Sequence, residues 1–272
     1  MGTREIQRYY RGYDEWGRLA RDPYHQLEFE TTMQFLRKYL PRRGRILDAG
    51  GGPGRYALTL ARGGYIVELL DLVPEHLERA RSEVKRARLG SRVQGFVEGS
   101  IVDLARYPTG RFDAVLCLGA PLGHVTEPHR RRRALRELSR VAKRRAPVFV
   151  SVIGRSAVLV NAMVERPGEW QFHPWVYREI LRSGDYHGRT GFAPCHFFTV
   201  EELADEVRRA GLQVLTSVGL EGLASTHRRE VNAFAHNHPQ AWNLWKRAHL
   251  ETCEWPAVVS TSEHFLLVAR KP

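Results

Sequence analysis

Two rhythms of apolar residues alternate along the chain. Short, nearly unbroken apolar runs at about 45–49, 65–70, 93–98, 112–119, 147–153, 212–218 and 264–270 have the length and β-branched content of buried strands. Between them apolar residues recur at helical spacing, as in Tyr56, Ala57, Leu58, Leu60 and Ala61, or Ala134, Leu135, Leu138, Val141 and Ala142. Strands alternating with helices predict an α/β fold, a mostly parallel seven-stranded sheet with helices on both faces. The first forty residues carry no strand and read as helix, with Leu27, Met33, Phe35, Leu36, Tyr39 and Leu40 inward and Pro41 ending the segment.

Punctuation residues sharpen the pattern. Pro74 opens a helix expected to run to Gly90, with Glu75 and Arg79 paired one turn apart and the glycine closing its C-terminus. Thr199 and Glu202 have the spacing of a capping box, and Gly211 ends that helix. Stretches 155–198 and 221–262 fall between late strands and are rich in His, Trp and Tyr, which is unusual for inert loops. With no repeat and no low-complexity linker, residues 1–272 are expected to form one domain: a helical cap (1–43), a core (44–154) and the two insertions.

Composition narrows the class. A chain of 272 residues can bury a substantial core, and 43% hydrophobic with 26% charged residues is globular. No apolar run approaches the roughly 18 residues of a membrane span, so no membrane partner is expected. The N-terminus is charged where a secretory leader would be apolar, and Cys117, Cys195 and Cys253 are few and odd in number; a reducing, cytoplasmic setting is expected. The formal net charge of +12 raises a nucleic-acid reading. Nine cations against one acid, Glu137, fall between Pro128 and Arg145, so most of the excess belongs to one helix and reads first as a solvated face.

The chemistry begins where the first strand ends. Ile46-Leu47-Asp48-Ala49 runs into Gly50-Gly51-Gly52-Pro53-Gly54, and a helix follows. Such a turn brings backbone N–H groups close to a ligand at the positive end of the helix dipole, which predicts a nucleotide-like site. Gly52-x-Gly54-x-x-Ala57 formally satisfies the dinucleotide pattern. Asp48, two residues before the first glycine, is misplaced for a pyrophosphate and well placed for a cationic ligand. The wider Gly50-x-Gly52-x-Gly54 spacing suits an amino-acid moiety.

These residues resemble motif I of class I S-adenosylmethionine-dependent methyltransferases. Asp71, Gly99-Ser100-Ile101-Val102-Asp103 and Phe112-Asp113-Ala114-Val115 stand in that family's order. The resemblance implies a Rossmann-like methyltransferase fold with a reversed last strand beside the sixth, and methyl transfer from S-adenosyl-L-methionine with S-adenosyl-L-homocysteine as product. It implies that Gly50, Gly52 and Gly54 pass close to the methionine part, with Asp48 acting on its cationic end. Asp71 would accept hydrogen bonds from both ribose hydroxyls. Ser100 stands where the family often has an acid for the adenine amino group, which leaves that task to Ser100, the Ile101 backbone or Asp103. Leu72 and Ile101 would sandwich the base, and Gly119 would bring carbonyls to the methionine ammonium and the transferring methyl. Related enzymes fold a Tyr-rich helix over the cofactor, making Tyr13, and after it Tyr10, site candidates.

Methyl transfer from a sulfonium is a direct displacement, so alignment and exclusion of water come first. His124, after the fourth strand, is the candidate base if the acceptor must lose a proton. His173, Trp175, Tyr177 and His187 are further rim candidates. Cys195-His196 and His236-x-His238 belong to no recognisable ligand set, so no metal is expected. An Asn-Pro-Pro-Tyr type tetrapeptide for base methylation is absent, with Gly119-Ala120-Pro121-Leu122 in its place. The first reading is a methyltransferase with a small-molecule acceptor beneath the two aromatic insertions. The alternatives are an RNA methyltransferase using the Arg-rich helix and a cofactor-binding protein without catalysis, with an NAD-dependent dehydrogenase last.

Overall fold

The computed structural model describes residues 2–189 and 191–272. Three helices come first: α1 (Gly2–Arg11), the single-turn α2 (Glu15–Arg18) and α3 (Pro23–Tyr39). The alternation follows as β1 (Arg45–Ala49), α4 (Arg55–Arg62), β2 (Ile66–Asp71), α5 (Pro74–Arg86), β3 (Val93–Glu98), β4 (Ala114–Cys117), α6 (Pro128–Val141) and β5 (Pro147–Ile153). The first insertion folds as α7 (Arg155–Glu165), α8 (Pro167–Phe172) and α9 (Pro174–Ser183), then a ribbon of β6 (Asp185–Tyr186) with β7 (Cys195–His196). Next come α10 (Val200–Arg209) and β8 (Gln213–Gly219), then the second insertion with α11 (Arg228–Asn237), α12 (Pro239–Thr252) and α13 (Pro256–Thr261), and last β9 (His264–Arg270).

The sheet order is β3-β2-β1-β4-β5-β9-β8, with β9 antiparallel to both neighbours. All seven expected strands are present, and the reversed one lies beside the sixth. Strand alternation sorts the core: Leu47 and Ala49 pack with Leu135 and Leu138 of α6, whereas Ile46 packs with Leu36, Leu58 and Leu77 of α3, α4 and α5. By the same alternation Asp48 shares the Ile46 face. It is thereby buried beneath the turn into α4.

Some local expectations need correction. Helix α5 ends at Arg86, and Arg88 rather than Gly90 takes the left-handed conformation (φ 56°). Glu75 pairs with Arg11 because α1 packs across the first turn of α5, and Arg79 pairs with Glu83 instead. Thr199 does cap α10, accepting from Glu202 N at 3.2 Å, but the Glu202 carboxylate turns to Arg155 and His196, so only half of the capping box forms. The β6–β7 ribbon has two-residue strands, too short to leave a rhythm. The Arg-rich segment is not one surface: Arg131 is 3% exposed against Glu206 and the carbonyls of Val125 and Thr126. Arg140 bonds Glu137 and the carbonyls of Leu104 and Tyr107. Among the described residues no helix is long and apolar enough to cross a membrane.

Candidate active site

The C-terminal ends of β1, β2, β4 and β5 meet at one edge of the sheet, where ligands bind in open α/β folds. Gly50 (φ 78°) sits so close to the loop after β4 that a Cβ there would lie 2.6 Å from Pro121 Cβ. Only glycine permits both that backbone and that approach. The turn is tied down by Gly50 N and Gly51 N donating to Leu70 O, at 2.7 and 3.2 Å. Gly52 N donates to Asp71 Oδ2 at 2.7 Å, and Val73 N to Asp71 Oδ1 at 2.9 Å. The Asp71 carboxylate is thus clamped by backbone on both oxygens. Each oxygen keeps capacity for a further donor.

Among the described residues, the side chains of Asp48 and His76 beside this clamp are buried without hydrogen-bond partners. Neither carboxylate oxygen of Asp48 has one, and a Cβ on Gly51 would lie 2.5 Å from Asp48 Oδ2. Burial, reinforced by the Asp71 charge and opposed by the Ala57 amide, pushes the Asp48 carboxyl up to about 7. His76, in the first turn of α5, makes no hydrogen bond through either ring nitrogen; its nearest charged neighbour is Asp71, with Nδ1 3.4 Å from Oδ1. Orphaned buried groups of this kind are costly in a fold and call for a ligand or ion to meet them.

The other wall carries a proton-handling pair. His124 Nδ1 lies 2.8 Å from Pro194 O, and a carbonyl can only accept, so Nδ1 bears the proton and Nε2 the lone pair. That lone pair accepts the Tyr10 O–H at 2.7 Å. Burial lowers the His124 pKa against the opposing pull of the Pro194 carbonyl, so the ring stays neutral. Burial, then the Glu15 charge, raises the Tyr10 phenol well above its ordinary value. Helix α1 is held over the sheet edge by Gln7 Nε2 donating to Leu72 O (2.8 Å) and by the Arg11–Glu75 pair.

Gly50, Gly52, Asp71 and Leu72 line one cavity, and Ser100, Ile101, Gly119 and His124 complete its other side. Gly54 is the N-cap of α4, and Asp48 lies behind Gly51; neither is on the lining. Tyr13 stacks on Tyr9 with ring centroids 5.8 Å apart, and it is Tyr10 that faces the cavity. Ser100 Oγ accepts from Val102 N, and Asp103 is exposed with Oδ1 on Ala105 N. Gly119 N donates to Ser151 Oγ at 2.9 Å, and the next residue, Ala120, is strained at φ 67°. Among the rim candidates, Trp175 and His187 are exposed, and Tyr177 lines a second cavity.

Arg18 and His76 line the cavity as well and were not among the candidates read from the sequence. Arg18 bonds Glu15 at 3.0 Å and Glu28 through two nitrogens; its one-turn helix offers no periodicity to read. His76 could have been found, because the first turn after the strand ending in Asp71 must face the same edge. His196, half of the Cys195-His196 pair, is held between Asp185 and Glu202. Glu28, Glu221 and His264 bring three possible ligand atoms within 4.8 Å, but Arg18 already neutralises Glu28, and Glu221 holds His264.

The reversed strand, the acid-glycine turn and the clamped carboxylate at the end of β2 together define a methyltransferase of Rossmann-like fold. A methyltransferase-domain family matches residues 46–145. The ubiquinone biosynthesis O-methyltransferase of Xanthomonas axonopodis pv. citri is 32% identical over 195 residues, covering 71% of this chain and 72% of that protein. The fold is shared with the Burkholderia thailandensis 1,6-didemethyltoxoflavin-N1-methyltransferase, solved with bound S-adenosylhomocysteine (TM-score 0.55, 18% identity, 97% of this chain and 83% of that one). It is shared as well with a methyltransferase of Methanosarcina mazei (TM-score 0.59, 19% identity, 87% and 96%). The chain belongs to the class I S-adenosylmethionine-dependent methyltransferases. The residues present fit that donor: a glycine cradle, a clamped carboxylate with spare acceptor capacity, and orphaned Asp48 and His76 beside it.

Proposed function

We propose that this chain transfers the methyl group to a hydroxyl of a small molecule, with Tyr10 and His124 removing the proton. The observation that carries this reading is the Tyr10 O–H donated to a neutral His124 Nε2 on the cavity wall. A relative named for O-methylation supports it. When bound, S-adenosylmethionine supplies a methyl carbon on a sulfonium whose sulfur retains the bonding pair as the methyl departs. Gly50 and Gly52 would give the methionine part its close backbone approach, Asp71 would accept the ribose hydroxyls, and Asp48 would offset positive charge near the cradle. Leu72 and Ile101 would flank the adenine, with Ser100 at its edge, and Gly119 would offer its carbonyl to the ammonium.

Tyr10 accepts the acceptor hydroxyl on a free lone pair and passes its own proton to His124 Nε2, so the phenol is neutral before and after. Helix α1 covers the reacting centre and limits water. The RNA reading has less support, because Arg131 and Arg140 are spent inside the fold and Arg130 alone of that cluster reaches the cavity. The test is transfer of labelled methyl to hydroxylated small molecules and to RNA. Label in an alkali-stable methyl ether supports the reading, and label confined to RNA or to amines overturns it.

A further inference from the structure

His124 is held from outside its own loop. Its Nδ1 donates to Pro194 O at 2.8 Å, and the residue before it, Gly123, accepts His196 N on its carbonyl at 2.7 Å. Two neighbours on the loop after β4 are thus gripped by Pro194 and His196, which flank Cys195 at the start of β7. The approach is close: a Cβ on Gly123 would lie 2.9 Å from Cys195 Sγ and 3.1 Å from His196 O. The loop that carries the base therefore takes its place from the β6–β7 ribbon, and a shift of β7 carries the Pro194 carbonyl away from the ring.

A ribbon of two residue pairs, Asp185 with His196 and Tyr186 with Cys195, is too short to fix itself. The His196 side chain anchors it. The ring is 2% exposed, with Nδ1 2.7 Å from Asp185 Oδ1 and Nε2 2.8 Å from Glu202 Oε1. A neutral imidazole has one N–H, and an ionised carboxylate only accepts, so both bonds form together only on the imidazolium. Burial works against charge on Glu202, but the His196 bond and charge, and then the Arg155 charge, outweigh it and hold its pKa below the ordinary value. Arg155 bonds the second oxygen of Glu202 and donates to Phe197 O at 3.1 Å. The cluster thus sets two cations against two carboxylates around the ribbon, and the Phe198 ring meets the His196 ring edge to face at 4.6 Å. Buried ion clusters add little net stability over an apolar filling, and their best attested use is to fix register.

Building on the reading of Tyr10 and His124 as the groups that remove the proton, we propose that His196 is a positioning residue that sets the tautomer of the base. Clamped between Asp185 and Glu202, it holds β7 where Pro194 O keeps the proton on His124 Nδ1 and leaves the Nε2 lone pair to Tyr10. His196 lines neither cavity, so it acts through the ribbon and not on a ligand. Without the clamp, His124 is free to carry its proton on Nε2, from which it donates toward Tyr10 and cannot take the phenol proton. The first insertion in this way governs the chemistry from behind the base.

Nitrogen-15 NMR of the imidazole rings at pH 8, on protein saturated with S-adenosylhomocysteine, tests this. The His124 signals are assigned by their loss in His124→Asn. The native ring should show the Nδ1–H tautomer. His196→Leu, and the milder Asp185→Ala at a side chain that is 28% exposed, should each bring in the Nε2–H form. Asp205→Ala, which removes an exposed acid of α10 paired with Arg208, should keep the native signature. All three should bind S-adenosylhomocysteine within about twofold of the native chain in calorimetry, which reports that they are folded. Should His196→Leu fail that check, Asp185→Ala decides. Single-turnover methyl transfer to the acceptor found with labelled donor should fall about tenfold in the folded clamp variants. A His124 ring that stays in the Nδ1–H form in those variants, or a rate lost only in proportion to S-adenosylhomocysteine binding, would overturn the proposal. A changed tautomer at the native rate would uphold the clamp and count instead against His124 as the base.

Discussion

The Tyr10 hydroxyl donates to His124 Nε2 at 2.7 Å, joining the N-terminal helix to the loop after β4 across 114 positions of sequence. The bond exists because the Pro194 carbonyl takes the other ring nitrogen and fixes the tautomer. Tyr10→Phe removes the relay while keeping the ring. It should lower kcat by roughly tenfold or more and leave S-adenosylhomocysteine affinity nearly unchanged. Single-turnover rates beside calorimetry separate the two effects.

The pH profile follows from the same pair. Burial holds the His124 pKa below 6.5, and the base works only when neutral, so activity should persist at neutral pH and fall as pH drops below 6.5. The Tyr10 phenol is raised, so it contributes no loss of activity up to pH 10. A kcat/KM profile with an acid limb at or above 7 would contradict this ordering.

Asp48 makes a prediction of opposite sense for stability. Its folded pKa of about 7 stands above the unfolded carboxylate value, so between about pH 4 and 7 the folded chain binds more protons than the unfolded one. Stability is therefore fully present below the unfolded pKa and is lost as pH rises, by at most about 1.4 kcal/mol per unit from this group. Asp48→Asn should flatten that fall and raise the melting temperature of the ligand-free chain at pH 8. It should also weaken S-adenosylmethionine binding. Thermal melts at pH 5 and pH 8 check the sign.

Gly50→Ala meets both a left-handed backbone and Pro121 Cβ, whereas Gly110→Ala, at φ 67°, meets nothing within 4 Å. Both variants carry backbone strain of about 1–2 kcal/mol. Gly50→Ala alone should also displace the turn and cost S-adenosylhomocysteine affinity by an order of magnitude or more. Equal affinities in the two variants would show that the turn does not hold the donor.

Arg131 tests how much of the basic segment is structural. Arg131→Met leaves Glu206 buried without its cation and should cost about 3 kcal/mol in denaturant unfolding. Arg132→Met, on the exposed face, should cost less than about 0.5 kcal/mol.

What could be read from the sequence divides along physical lines. The strands of the sheet, the buried Asp48 and the Asp71 position follow from local rules: alternation, the glycine turn and the end of a strand. Tyr10 was reached only through the family resemblance and Arg18 not at all, because their partners His124 and Glu28 are met only when the N-terminal helices dock on the sheet edge. The basic run misleads for a similar reason. Composition counts Arg131 with its exposed neighbours, while helical phase turns it toward α10 and Glu206. The second cavity depends on a ribbon of two-residue strands, which leaves no periodic trace.

The most direct measurement is the rate of methyl transfer by His124→Asn in a single turnover, with S-adenosylhomocysteine affinity measured on the same preparation. His124 acting as the base predicts a rate lower by roughly 10²–10⁴ with donor-site affinity within about threefold of the native chain. A variant that transfers methyl at the native rate, or one that loses activity only in proportion to lost S-adenosylhomocysteine binding, would contradict it.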